Sequence, residues 1–337
     1  MKKMLKAMFL MASILLLLTA CAKNNAPQEE EANTKAQAET QSADTVTITD
    51  KNGEVEVKKN PEKVISLDNR TYETLENWGV KLVAVPKDVM PADSAYVKDE
   101  SVENIGNHRE PNLEVIAAAD PDLVIVGQRF VKHYDEIKKL VPNATVIDLN
   151  FDVSGKEGNP GENLLAGLTD STLALGEIFD KNEEAEKIIA EFQDALAGAK
   201  DAYNGESIMS LVVSGGEIGF SAPHFGRVWG PLYDIFEWKP ALEVADSSSD
   251  HKGDDVSVEA IAESNPDYLL VLDRDAATSD SETSKPAKDV IENAEALKNT
   301  TAIKNGNVVY APNDTYTNES IQTFTEIFNN LKDVFSK

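Results

Sequence analysis

One cysteine in 337 residues, Cys21, excludes an internal disulfide and any zinc cluster built on cysteines. Basic residues are scarce too: 32 Lys and Arg against 59 Asp and Glu leave a formal charge of −27. Bulk nucleic-acid binding is thereby disfavoured, because a polyanion needs Lys and Arg to neutralise its phosphates. His108, His133, His224 and His251 are widely spaced, so sequence neighbours build no structural zinc cage. No Gly-x-x-x-x-Gly-Lys-Ser/Thr phosphate loop, Gly-x-Ser-x-Gly elbow or His-Glu-x-x-His pair occurs. The chain therefore reads as a non-enzyme. A hydrolase would need Ser214, His224 or His251 to converge with an Asp, and no strand-to-helix elbow places the nucleophile. With 41% apolar and 27% charged residues, what is present suffices for a soluble body with real cores, as one large or two ordinary domains.

The N-terminus is the exception to this polar character. Lys2, Lys3 and Lys6 precede an apolar run from Met8 to Leu18, too short for a stable span and suited to an export signal over residues 1–20. Removing it takes three positive charges away and makes the charge −30. Leu18-Thr19-Ala20-Cys21 resembles a bacterial lipobox, in which cleavage before the cysteine leaves its sulfur to carry a diacylglyceride. The alternative is an ordinary signal peptide with a free Cys21. Residues 22–44 are mainly Gln, Glu, Ala, Asn and Thr with almost nothing apolar, so residues 21–45 are expected to be a lipidated Cys21 and a disordered tether. Acyl chains on Cys21 would hold the body at the extracytoplasmic face of the cell membrane.

From Val46 strand-like and helix-like stretches alternate, the signature of an α/β fold. Val64–Leu67, Val80–Val85, Leu123–Val126 and Thr145–Leu149 read as strands, and Tyr72–Trp78 and Leu113–Ala118 as helices. Asn163 to Tyr203 is rich in helix formers with a break at Asp180-Lys181-Asn182. Beyond it Ala185, Ile188, Ile189, Phe192, Leu196 and Ala199 recur at helical spacing. A helix over 182–202, about 30 Å long, is expected to connect a lobe at 46–181 to one at 203–337. In the second lobe Met209–Val213, Tyr268–Leu272 and Val308–Tyr310 read as strands, and a closing helix runs from Glu319 to Phe335.

Residues 113–129 align without gaps with residues 258–274, matching at Glu114/Glu259, Ile116/Ile261, Ala117/Ala262, Pro121/Pro266, Asp122/Asp267, Val126/Val271 and Arg129/Arg274. Each copy is a helix, a Pro-Asp stop and an apolar strand whose carboxyl end delivers an arginine. In α/β sheets that end borders the ligand crevice, so two similar lobes should each point an arginine into the gap between them.

The lipobox, the repeated unit, the long helix and Phe225-Gly226-Arg227-Val228-Trp229-Gly230-Pro231-Leu232-Tyr233-Asp234 resemble the helix-linked (class III) substrate-binding lipoproteins of ABC importers. Within that family the likeness is greatest to those for ferric catecholate siderophores, including petrobactin-type ligands. The resemblance spans residues 46–337. It implies two similar α/β lobes joined by one long connecting helix, a ligand cleft between them, a monomer with no permanent cofactor, a ferric siderophore as cargo and ABC permease subunits as partners.

It also carries over Arg129, Arg227 and Arg274 as ligand contacts, a sound choice for a planar trianion because guanidinium both donates hydrogen bonds and stacks on rings. Arg109 is expected in the cleft and Trp229 as an aromatic wall, while Arg70 follows a strand at a lobe edge. His251 and Tyr316 stand where relatives that bind tetradentate siderophores complete the Fe(III) coordination. The alternatives are an exposed loop histidine and a half-buried loop aromatic. Glu114 and Glu259 match the glutamates that dock on the permease, though a helix N-terminus favours the same residue. Hydroxamate siderophore, haem or cobalamin remain alternative cargoes, with less charge to call for three arginines.

Overall fold

The computed structural model describes residues 44–278 and 285–337. The expected signal peptide, Cys21 and nearly all of the tether lie outside the described residues. Alternating residues in Thr-Val-Thr-Ile and Val-Glu-Val open the described chain as an antiparallel hairpin of β1 (Thr45–Asp50) and β2 (Gly53–Lys58), which buries Ile48 and Val57.

The first sheet follows: β3 (Val64–Leu67), α1 (Tyr72–Asn77), β4 (Leu82–Val85), α2 (Ala95–Lys98), β5 (Glu103–Asn104), α3 (Leu113–Ala119), β6 (Leu123–Val126), α4 (Tyr134–Leu140) and β7 (Thr145–Asp148). Its strands are all parallel in the order β5-β4-β3-β6-β7. Unbroken apolar runs such as Val64-Ile65 and Leu123-Val124-Ile125-Val126 are buried on both faces, as a parallel sheet covered by helices requires.

Two long helices, α5 (Pro160–Ile178) and α6 (Asn182–Ala202), lead to a second sheet. It is built from β8 (Ser207–Ser214), β9 (Glu217–Phe220), α7 (Gly230–Phe236), β10 (Lys239–Pro240), α8 (Val258–Ser264), β11 (Tyr268–Asp273), α9 (Arg274–Thr278), α10 (Ala287–Asn293), α11 (Thr301–Asn305), β12 (Val308–Tyr310) and α12 (Ile321–Phe335). Its parallel order is β10-β8-β11-β12, with β9 antiparallel to β8.

The sequence repeat is a structural repeat. Asp120 and Asn265, at matching positions, both end their helices in the left-handed conformation, φ +47° and +44°. Asn and Asp tolerate that region better than other side chains. The aspartate of each Pro-Asp pair then fastens the neighbouring strand: Asp122 Oδ2 accepts from the Glu62 and Lys63 amides, and Asp267 Oδ2 from the Ser207 amide and hydroxyl.

The connecting helix is α5, not the 182–202 helix. Leu164 and Leu168 of α5 sit in the second-lobe core with Trp229, Leu232 and Phe328, whereas Ala174, Leu175 and Ile178 of the same helix sit in the first-lobe core with Val64, Leu75 and Ile147. Ile189, Phe192, Ala195 and Ala199 of α6 pack only on the second core, against α12. Both segments carry an apolar stripe, and the stripe alone does not say which core it faces.

The lobes also meet where the chain enters α12. The Asn69 carbonyl accepts from the Glu319 amide at 3.0 Å, Glu73 Oε2 accepts from Asn318 and Ser320, and Thr74 pairs with Gln322. Helix α12 begins at Ile321 because Ser320 Oγ accepts from the Thr323 amide as its N-cap. Glu319, expected as its first residue, thus stays outside the helix.

Candidate functional site: an arginine-lined cleft between the lobes

In each sheet the strand order reverses between two neighbouring strands, β3/β6 in the first and β8/β11 in the second, and ligand crevices form outside the carboxyl ends of such pairs. Arg129 follows β6 and Arg274 follows β11, so the repeat brings one arginine from each lobe to the same place. Gly127, between β6 and Arg129, lets the β3 end approach: a Cβ there would lie 2.1 Å from the Asp68 carboxylate.

A cleft of about 550 Å³ opens at this point. Arg109, Arg129, Arg227, Arg274, His251 and Tyr316 all line it. Tyr316 is its centre: the guanidinium carbons of Arg129, Arg227 and Arg274 lie 5.3, 4.3 and 5.2 Å from its ring centroid. Its carbonyl accepts from Arg129 Nη2 at 2.5 Å and from Arg227 Nη2 at 3.1 Å, while Arg274 Nη1 donates to Ser214 Oγ at 3.1 Å. Tyr316 is only 5% exposed, which sets aside the alternative of a half-buried loop aromatic.

Arg227 is delivered by a tight turn. The Trp229 amide bonds the Arg227 carbonyl at 2.8 Å across Val228, whose φ is +67°. A β-branched residue in that region is strained by about 1–3 kcal/mol, the kind of cost that collects at functional sites. The turn sends neighbours opposite ways: Arg227 faces the cleft, and Trp229, fully buried, packs in the second-lobe core. Trp229 is thus not a cleft wall, a correction to its expected role.

Arg70 is no edge residue either. It follows the central strand β3, is buried, and stacks 3.7 Å over the Phe151 ring, with Nη2 3.7 Å from Glu319 Oε2. Glu319 also takes a short hydrogen bond from Arg227. Burial alone would raise the Glu319 pKa, but Arg227, Arg70 and Arg129 outweigh it and hold the carboxyl below its usual range. Burial and then the Arg227 charge bring Arg129 down to about 10, still protonated at neutral pH.

His108 and Gln128 line the cleft and escaped the sequence reading, although both adjoin residues it singled out, Arg109 and Arg129. Desolvation, then Arg129 and Arg109, depress the His108 pKa to about 4. His251 is shifted in the same direction, chiefly by desolvation, which favours the neutral imidazole. Among the described residues no three His, Cys, Asp or Glu side chains are grouped to hold a metal ion, and no helix is long and apolar enough to cross a membrane.

The periplasmic binding protein family model matches residues 64–315. This chain belongs to that family. The petrobactin-binding protein YclQ of Bacillus subtilis is 30% identical over 292 residues, 86% of each chain. Its crystal structure matches with a TM-score of 0.71 and 27% identity, covering 87% of this chain and 99% of that one. The ferric-anguibactin-binding protein FatB of Vibrio anguillarum is 30% identical over 268 residues, 78% of this chain and 79% of its own. The periplasmic catecholate-siderophore binding protein VctP of Vibrio cholerae matches with a TM-score of 0.69 and 27% identity, over 86% and 99% of the two chains. In this periplasmic binding protein, two α/β lobes joined by α5 form the helix-linked, class III arrangement. Glu114 and Glu259 are exposed in the first turns of α3 and α8, at equivalent places on the two lobes.

Proposed function

We propose that this protein captures a ferric siderophore of the catecholate type in the inter-lobe cleft and delivers it to an ABC permease. The observation that carries the reading is the convergence of Arg129, Arg227 and Arg274, drawn from both lobes, around Tyr316. A ferric tris-catecholate is a trianion with its charge spread over planar aromatic oxygens, and guanidinium groups supply charge, hydrogen bonds and flat faces together. Relatives named for petrobactin, anguibactin and catecholate siderophores support the same cargo class. Arg109 extends the cationic wall, and His251 and Tyr316 offer an imidazole and a phenol to iron left open by a tetradentate siderophore.

Glu114 and Glu259 are the proposed contacts to the two permease subunits, and a lipid on Cys21 is the proposed anchor at the extracytoplasmic membrane face. The test is a titration of the body with ferric tris-catecholate, ferric hydroxamate and haem in parallel, followed by tryptophan fluorescence. Tight saturation by the catecholate alone is expected. Tight binding of hydroxamate or haem instead would discard the arginine account of the cleft.

A further inference from the structure

Glu319 does not line the cleft, yet it joins the cations of both lobes. One oxygen accepts from Arg227 of the second lobe, and the other lies 3.7 Å from Arg70 of the first. Its amide is bonded to the Asn69 carbonyl, so the carboxylate cannot drift from Arg70 without breaking a backbone contact. Arg70 is fixed in turn: Nη1 donates to the Phe151 carbonyl at 3.3 Å, and the guanidinium stacks on the Phe151 ring. Phe151 fills space that α5 leaves open at Gly167, where a Cβ would fall 2.1 Å from the ring. Arg70 Nε, Arg70 Nη2 and Arg227 Nε are buried and make no hydrogen bond, and among the described residues Glu319 is the only carboxylate within ion-pair distance of either guanidinium. In a poorly solvated site, removing one partner of such a group leaves an uncompensated charge.

We propose that Glu319 is a positioning residue, a fixed counter-charge shared by Arg70 and Arg227 that aims the Arg227 guanidinium into the ligand cleft and relieves repulsion among the arginines when the cleft is empty. The inference rests on the cleft being the ligand site. A merely structural lobe-to-lobe tie would stabilise the fold without acting through Arg227.

The test is a double-mutant cycle of Glu319→Gln and Arg227→Gln, read twice. In ligand-free melting, Glu319→Gln should lower Tm by about 5–10 °C, and adding Arg227→Gln should recover at least half of that loss because the uncompensated cation is gone. In titration with a ferric tris-catecholate, Glu319→Gln should bind at least tenfold more weakly, and the double variant no more weakly than Arg227→Gln alone. Additive losses in the melting cycle, or wild-type affinity in Glu319→Gln, would overturn the proposal. Glu319→Asp, which keeps the charge at shorter reach, serves if Glu319→Gln fails to fold. It should fold and bind more tightly than Glu319→Ala, and equal loss in the two would also overturn the proposal. If wild-type protein binds no ferric catecholate, the cargo reading fails, and the melting cycle still decides whether Glu319 serves Arg227.

Discussion

Arg227 holds Tyr316 twice: its guanidinium carbon lies 4.3 Å from the ring centroid, and its Nη2 donates to the carbonyl of the same residue at 3.1 Å. Arg129 from the opposite lobe bonds that carbonyl as well, so one residue is clasped from both sides of the cleft. The arginines are ordered before a ligand arrives. Little side-chain entropy is then left to lose on binding, which favours high affinity from a small contact area.

Arg227→Ala and Arg274→Ala should each weaken ferric-catecholate binding at least tenfold, about 1.4 kcal/mol. Lysine at either position should recover only part, because a point charge neither stacks nor donates in a fork. Fluorescence titration measures this, and wild-type affinity in both alanine variants would remove the arginine cluster from the site.

Trp229→Phe should behave oppositely. Trp229 is fully buried among Leu232, Phe328 and their neighbours, so the smaller ring leaves a cavity and lowers the melting temperature. Ligand affinity should stay within about threefold of wild type, a difference under roughly 1 kcal/mol. A tenfold loss without loss of stability would return Trp229 to the cleft.

His108 makes the cleft sensitive to acid. Its folded pKa of about 4 lies below the ordinary 6.5, so the native state favours neutral imidazole. The stability this contributes is present above about 6.5 and is lost as pH falls through about 4. His108→Gln should flatten that part of the pH–stability curve. A gallium(III) tris-catecholate, diamagnetic and trianionic, should raise the His108 midpoint by offsetting Arg129 and Arg109. NMR titration with and without ligand reads the shift, and an unmoved midpoint would place the anion away from His108.

Charge reversal at both Glu114 and Glu259 should leave siderophore affinity unchanged and abolish uptake in cells that depend on this protein for iron. Each side chain is exposed at a helix start, so reversal costs the fold little beyond its favourable term with the helix dipole. Surviving uptake would reassign the docking surface.

The repeat made part of this site legible in advance, because helix, Pro-Asp stop, strand and arginine are all local features of a short run of residues, whereas the strands that Asp122 and Asp267 fasten lie 60 positions away in the chain. Arg129 and Arg274 followed from strand direction alone. The connector did not, since α5 and α6 both carry apolar stripes and only packing assigns them to cores. Trp229 was misplaced because a turn through positive φ at Val228 reverses direction between adjacent residues, and a valine gives no warning of it. Glu319 was hidden for a different reason. Beside a helix start a glutamate suits the dipole, and its two partners are 249 and 92 positions away in the chain.

The arginines occupy one cleft on a chain whose formal charge is −27. Within about a Debye length of the surface, roughly 8 Å at physiological salt, a trianionic ligand meets repulsion from the acidic body, and attraction to the arginines takes over only at the mouth. Modest salt should therefore speed first encounter while weakening the final grip, so that the association and dissociation rate constants both rise with ionic strength. Anions that never reach the mouth are turned away by the same acidic surface.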